Sequence, residues 1–468
     1  MPPRSVLDID QSTDGALNPV DNMKALSLGT HTTPSQLMDL PPELVVEIFI
    51  FATLGKEAVT PLFLGKICRE WRALVFESCA LWQNIHLKLE YDRPSQLTLL
   101  KEWIDRSGSL PLSITVTYPN TGHGRPEYTE SARFIMSLPP TRVSSLSLDD
   151  LPQDFFSVLV AAGPVGPWPI LSHLHLSSND ADQDPDKDAP MFGEMPALKS
   201  LSVNHLYVLD LTLPWSQLLH IRLLGVYPYE IRGVLARAHN LLSLNASVVY
   251  GETHIPPLCL HQNLQNLTFS NTISKGSTFF NSLRLPALTS LTLELDHRKV
   301  LTGNGRERFS KFDMYPFLSE SGCQLVDLSV SNGALVEKHV LTWLSALPSL
   351  RILRLFNNKW YEEANPTGDF VSLGPTILHQ MTGSSEDSPI LPILKQLTLE
   401  GTEVSFSQGV VIDFLRSRWG NERLPKEQGT TTLQSIVWKP RPNWTQLTEE
   451  QELVLGKWRV RGFLVDIQ

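Results

Sequence analysis

A chain of 468 residues, 42% hydrophobic and 19% charged, has the balance of a folded protein with a substantial core, which excludes wholesale disorder. A formal charge of −10 and a pI near 5.7 leave no net positive field to draw it onto phosphate backbones or anionic lipid, so neither nucleic acid nor membrane is expected as a partner. The four cysteines, Cys68, Cys79, Cys259 and Cys323, form no C-x-x-C pair and are too sparse for a disulfide framework; they read as buried thiols in a reducing compartment.

Residues 1–36 are polar, with scattered Pro, Ser, Thr and Asp and no periodic apolar face, and read as a disordered arm. The opening MPPRSVLDIDQSTDG lacks the basic start and apolar run of a secretory signal. Further on, VLVAAGPVGPWPIL is apolar but short and broken by three prolines, too interrupted to span a bilayer. These features predict a cytoplasmic or nuclear protein, or both.

In LMDLPPELVVEIFIF the residues Leu44, Ile48 and Phe51 recur at helical spacing, with Pro41 and Pro42 at the start and Glu43 in the first turn. A second helix is predicted over LGKICREWRALVF, where Leu64, Ile67, Cys68, Trp71 and Leu74 share a stripe. Ile85, Leu87 and Leu89 then alternate as in a strand. A unit this small struggles to bury enough surface alone. On periodicity alone it is the N-terminal cap of the larger domain beyond it, or it seeks a partner.

The ordered set Leu40, Pro41, Glu43, Leu44, Ile48, Phe49, then Ile67, Cys68, Arg69, Trp71, then Leu81 and Trp82 resembles an F-box. The adjoining WIDRSGSLPLSITV resembles the segment that trails the F-box in many proteins of mushroom-forming (basidiomycete) fungi. The likeness covers residues 37 to about 118, with a less apolar turn at LGKEAVTPLF and Gly65 where the family often has Ser. It implies binding to the Skp-type adaptor of a cullin-RING ubiquitin ligase, and through it a cullin. Leu40, Pro41, Glu43, Leu44, Ile48, Phe49, Ile67, Cys68 and Trp71 would be the adaptor-binding residues, docked as helices in a groove.

The remainder is a repeat. The triplet apolar-x-x-apolar-x-apolar begins at Val143, Leu171, Leu198, Leu218, Leu241, Leu264, Leu288, Leu325, Leu350, Leu394 and Leu433, and most of the gaps between these starts match a leucine-rich-repeat period. The last two apolar positions of each triplet sit two apart, as a strand with one buried face requires. Helical stripes lie between them, with Ile231, Val234, Leu235 and Ala238 in one and Val340, Leu344 and Leu347 in another. The expected fold is therefore α/β: a short helical F-box, then a leucine-rich-repeat solenoid with a curved parallel sheet and helices on the convex side. The boundaries are an arm at 1–36, the F-box at 37–90, the solenoid at 91–445 and a cap at 446–468. In that cap Thr448 and Gln451 read as a capping box and Val454, Leu455 and Trp458 as its inner face.

Motifs of chemistry are weak. Five aspartates alternate in NDADQDPDKDAP, yet an EF-hand loop from Asp180 would need Gly and a carboxylate where Pro185 and Met191 stand, so a solvated loop is the reading. His173 and His175 share a strand face without a third ligand at zinc spacing. Nucleophile, zinc-protease and phosphate-loop motifs are missing from the chain, and TGNGRER lacks the third glycine of a dinucleotide fingerprint. The basic group Arg298, Lys299, Arg306, Arg308 and Lys311 reads as a solvated insertion. No cofactor, metal or catalytic residue is expected.

Between the buried strand positions stand small polar residues, Ser145, Ser147, Ser200, Ser202, Ser243, Asn245, Asn266, Thr268, Ser290 and Thr292, a floor that permits close approach. Larger groups flank it, and since hot spots favour Arg and aromatics, His173, His175, His220, Arg222, Arg354, Phe356, Trp360 and Lys439 are the candidate substrate-binding residues. The leading function is a substrate receptor of an SCF-type ubiquitin ligase that holds an unknown target protein. The alternatives are an intracellular leucine-rich-repeat sensor or scaffold not linked to ubiquitination, and an enzyme with a scattered site.

Overall fold

The computed structural model describes residues 37, 39–53, 60–88, 94–118, 132, 135, 137–161, 163, 166–179, 191–248, 257–271, 276–295, 313–331, 337–356, 372–373, 375–382, 389–400, 403–404, 408–419, 433–439, 448–460 and 462–467. The arm at 1–36, the aspartate run from Asp180, the basic group at 298–311 and Trp360 lie outside the described residues. The chain divides into two compact units, residues 1–82 with 106–108, and residues 83–105 with 109–468.

In the first unit, helix α1 (Pro42–Ala52) starts on a proline, which needs no amide partner there, with Glu43 in its first turn to meet the positive helix end. Short α2 (Pro61–Leu64) and then α3 (Arg69–Glu77) come next, and a 3-10 turn, Cys79–Trp82, closes the unit. Its core is Val45, Phe49, Leu64, Val75, Leu81 and Trp82. The Trp82 indole N–H donates to the Val75 carbonyl at 2.9 Å, which satisfies the polar atom of a fully buried ring. The helix predicted over LGKICREWRALVF is thus shorter: Leu64 ends α2, residues 65–67 form a turn, and α3 begins at Arg69. Cys68 has extended backbone (φ −152°, ψ 176°) and its Sγ accepts the Trp71 N–H at 3.4 Å, so it caps α3, while Gly65 closes α2. The cysteines also differ from a uniform set of buried thiols, for Cys79 is exposed, Cys68 and Cys259 are half-buried, and Cys323 alone of the four is enclosed.

The second unit is α/β. Its strands are β1 (Asn84–Lys88), β2 (Leu112–Thr117), β3 (Val143–Leu151), β4 (His173–Ser178), β5 (Ser200–Asn204), β6 (His220–Val226), β7 (Ser243–Val248), β8 (Cys259–Leu260) and β9 (Asn266–Asn271). They continue through β10 (Leu283–Arg284), β11 (Ser290–Leu295), β12 (Asp327–Ser331), β13 (Ile352–Phe356), β14 (Ser372–Leu373), β15 (Gln396–Glu400), β16 (Glu403–Val404), β17 (Ser435–Lys439) and β18 (Leu464–Ile467). Fourteen of them form one parallel sheet in chain order, β8 with β10 and β14 with β16 making two small side pairs. Each strand of the large sheet hydrogen-bonds to those before and after it in the series, the pattern of stacked repeats, and this order fits a solenoid of leucine-rich-repeat type.

All eleven triplet starts are buried. Behind them run two further core rows, one from Ile85 through Leu146, Leu201, Leu267 and Leu353 to Ile436, the other from Leu87 through Leu148, Val203, Phe269 and Leu355 to Trp438. The sheet is wider than the eleven triplets: β1 and β2 precede them and β18 comes after, β1 in the segment expected to be F-box, β2 at the start of the expected solenoid and β18 in the expected cap. Helices return the chain between strands where the stripes place them. In α6 (Pro228–Arg237) Ile231, Val234 and Leu235 are buried, and in α9 (Glu337–Ser345) Val340, Trp343 and Leu344 are. Other returns include α4 (Pro94–Arg106), α5 (Gln153–Ala161), α7 (Gly276–Asn281), α8 (Tyr315–Ser321), α10 (Pro375–Thr382) and α11 (Gln408–Arg418). Before β18, α12 (Glu449–Val460) opens with a reciprocal cap: the Gln451 side chain accepts the Thr448 N–H at 3.0 Å and the Thr448 hydroxyl accepts the Gln451 N–H at 3.3 Å. Among the described residues no helix is long and apolar enough to cross a membrane.

Candidate functional site

Helix α1 is apolar on two sides. Val45 and Phe49 face the core, Phe49 being only 1% exposed, and its ring lies 4.6 Å from that of Trp71. One residue round the helix, Leu44, Ile48 and Phe51 are 52%, 42% and 73% exposed. Two parallel stripes arise because the run LVVEIFIF places an apolar residue at almost every position, so the helix cannot hide them all against one neighbour. Leu40, Pro41 and Glu43 are exposed beside the outer stripe, and so are Phe63, Ile67 and Phe76 further along the unit. Phe49 is therefore corrected from an expected adaptor contact to a core residue, and Cys68 spends its sulfur on the α3 cap. Trp71 is half-buried, one face committed to Phe49. Phe51, Phe63 and Phe76 were not among the expected contacts; Phe51 carried a signal, since it completes the Leu44, Ile48 spacing. The guanidinium of Arg106 lies 4.8 Å from the centre of the Phe76 ring, which covers part of that aromatic.

On the polar face of the sheet the register sorts residues into rows. One row runs Ser145, His173, Ser200, His220, Ser243, Asn266, Ser290 and Asp327. The next runs Ser147, His175, Ser202, Arg222, Asn245, Thr268, Thr292, Ser329 and Arg354. The expected small-polar floor thus forms two continuous lines, and His173, His175, His220 and Arg222 fall together as a block on β4 and β6. Phe356 and Lys439 lie in a third row, aligned with Ser331 and Glu400. Trp360 has no described position to compare.

Spacing along the chain left out the carboxylates that answer these cations. Asp327 accepts two bonds from one Arg354 amine, at 2.8 and 3.0 Å. Lys439 lies 3.0 Å from Asp466 and 3.9 Å from Glu400, and hydrogen bonding to Asp466 raises its ammonium above the ordinary lysine value. His175 Nε2 lies 3.1 Å from Asp149 Oδ1. Arg354 and Lys439 are hence already engaged. Among the described residues, the side chains of His220 and Arg222 have no hydrogen-bond or ion partner. No three His, Cys, Asp or Glu side chains gather as a metal set among the described residues.

A second feature has no signature in residue spacing. Tyr207, Tyr227 and Tyr229 stack nearly parallel, with ring centres 6.2 and 5.7 Å apart. Burial, with the Glu230 carboxylate next in weight, pushes the Tyr229 phenol up to about 12. The stack sits just past the ends of β5 and β6.

No protein-family model and no curated protein matches this chain. A search of solved structures finds similarity to the crystal structure of a TLR13–ssRNA13 complex at a TM-score of 0.30 and 13% identity, covering 83% of this chain and 62% of that one.

Proposed function

We propose that this chain is an F-box protein, the substrate-recognition subunit of an SCF-type cullin-RING ubiquitin ligase. In this reading the first unit docks on a Skp-type adaptor, and through it a cullin, while the polar face of the sheet takes a target protein in the cytoplasm or nucleus. The observation that carries it is the outer stripe of α1. Leu44, Ile48 and Phe51 are exposed in a unit whose core is already closed by Val45, Phe49 and Val75, and isolated apolar stripes of this kind mark association surfaces. The ordered F-box-like residues supply the identity of the partner. The sheet supports the second role, because a wide floor of short polar side chains admits another backbone closely while Arg and aromatic groups stand among them.

Co-expression of the full chain with a Skp-type adaptor tests this. Buried apolar anchors commonly contribute about 2 kcal/mol or more, so the double substitution Leu44→Asp, Ile48→Asp is expected to reduce adaptor recovery at least tenfold. Its melting temperature should stay near that of the parent, since both positions face solvent. Equal recovery by the folded variant removes the ligase reading and leaves a scaffold.

A further inference from the structure

The block of larger residues on β4–β6 has a geometry of its own. Registered pairs place His173, Ser200 and His220 side by side, and His175, Ser202 and Arg222 side by side one pleat further on. The core residues Leu174, Leu201 and Ile221 lie between the two lines on the opposite face. With strands about 4.8 Å apart and alternate residues about 7 Å apart, four cation-forming side chains stand at the corners of a rectangle of about 10 by 7 Å, with two hydroxyls midway along its long sides. Among the described residues nothing bonds the Ser200 and Ser202 hydroxyls or the Arg222 guanidinium. The His173 Nδ1 is 2.7 Å from the Ser172 hydroxyl, leaving Nε2 open. At the margin His175 Nε2 already faces one carboxylate, that of Asp149, at 3.1 Å.

We propose that this face of β4–β6 is an oxyanion site, which takes one carboxylate or phosphate group from an extended segment of the target protein. The proposal deepens the receptor reading and rests on it only for what carries the anion. Convergent N–H and O–H donors around one group of oxygens are the arrangement that charged hydrogen bonding favours, Arg222 offering a fork and the serines shorter reach. A single anionic residue fits better than a polyanion. Beyond β6 the two rows are amides and hydroxyls until Asp327, and Asp149 stands on the other side, in a chain of net charge −10. A nucleic-acid strand crossing the site would lay its next phosphates against neutral or acidic surface.

Imidazole resonances of the isotope-labelled full chain, assigned by single His→Gln variants, are followed while inorganic phosphate is added. Saturable shifts confined to His173, His175 and His220 among the thirteen histidines are expected. Arg222→Gln should weaken the apparent affinity at least fivefold, and Ser202→Asp should abolish the response, both with unchanged melting temperature. Uniform shifts over all histidines, or an Arg222→Gln titration equal to the parent, mean an adventitious ion only and overturn the site. Capped peptides Gly-Ala-Xaa-Ala-Gly with phosphoserine or Glu at the centre then identify the source by the tighter binder, the Ser peptide being inert. Octauridylate binding more tightly than either peptide, with steep salt dependence, overturns the single-anion assignment. The adaptor is left out throughout, so failure here leaves the capture result standing, and a failed capture leaves this site standing.

Discussion

Glu230 and Arg418 are the charged side chains buried among the described residues, and each is held by backbone. Arg418 donates to the carbonyls of Met381, Ile390, Leu391 and Pro392, and burial lowers its pKa to about 10, so it stays charged at neutral pH. Glu230 accepts the Val208 N–H at 2.8 Å on one oxygen and the Tyr227 N–H at 2.9 Å on the other. Burial raises its pKa from 4.5, and the two amide bonds oppose this without cancelling it. Glu230→Gln turns an amine toward one of those N–H groups, and leaving a buried donor unmet costs about 1–3 kcal/mol. Thermal unfolding at pH 7 should register that loss. Because the folded state holds the proton more tightly than the unfolded one, the charge-linked part of Glu230's contribution is fully present below pH 4.5. It declines as pH rises through the folded value. The difference between parent and variant should therefore narrow from acid toward neutral pH, and a difference that widens would contradict the assignment. Gly225 is the other residue with a fixed role. It adopts φ +71° where the register between β6 and β7 shifts, and a Cβ there would collide with the His205 imidazole. Gly225→Ala should cost about 1–3 kcal/mol, read as a drop in denaturant midpoint.

Among the elements, α1 and α3 separate stability from the association proposed above. Phe49 and Trp71 join the helices at 4.6 Å, whereas Leu44 and Ile48 face away. Trp71→Ala should therefore lower both the melting temperature and adaptor recovery, by about 2 kcal/mol or more in stability as a half-buried aromatic is cut away. Recovery reduced with an unchanged melting temperature would mean that Trp71 packs on the partner alone. The sequence made the outer stripe legible through the spacing of Leu44, Ile48 and Phe51, but helical spacing cannot say which of two adjacent stripes turns inward, and so Phe49 was misplaced. The repeats were read from their leading residue. Alternation shows β1 as a strand, but β1, β2 and β18 fall outside the repeat series because Trp82, Pro111 and Gly462 stand where the others have Leu or Val. The His/Arg block was legible residue by residue, since alternation assigns the face. Its partners were not, because pairing Asp327 with Arg354 or Asp149 with His175 requires the register across connections of variable length.

For the whole molecule, the strand order makes the repeat unit a piece stabilised by its neighbours. Interior strands such as β7 and β9 pair on both sides and stack buried rows against both, while among the described residues β18 pairs with β17 alone and exposes Leu464. In a stack of this kind stability is close to a sum of unit and interface contributions, so the end with one interface opens at lower free energy than the middle. Hydrogen exchange should show a gradient. Amides of β18 are expected to exchange first, those of β17 next, and those of β7, β9 and β11 last, with Phe269 and its ring contacts to Phe279 and Phe280 at 5.0 Å reinforcing the centre. The same logic separates the interaction surfaces. The proposed oxyanion block lies on β4–β6, interior strands, so loosening β18 by Trp458→Ala should speed exchange there without changing phosphate-induced shifts of His173 and His220. If Trp458→Ala instead accelerates exchange equally in every strand, the sheet unfolds as one cooperative body and the nearest-neighbour description fails.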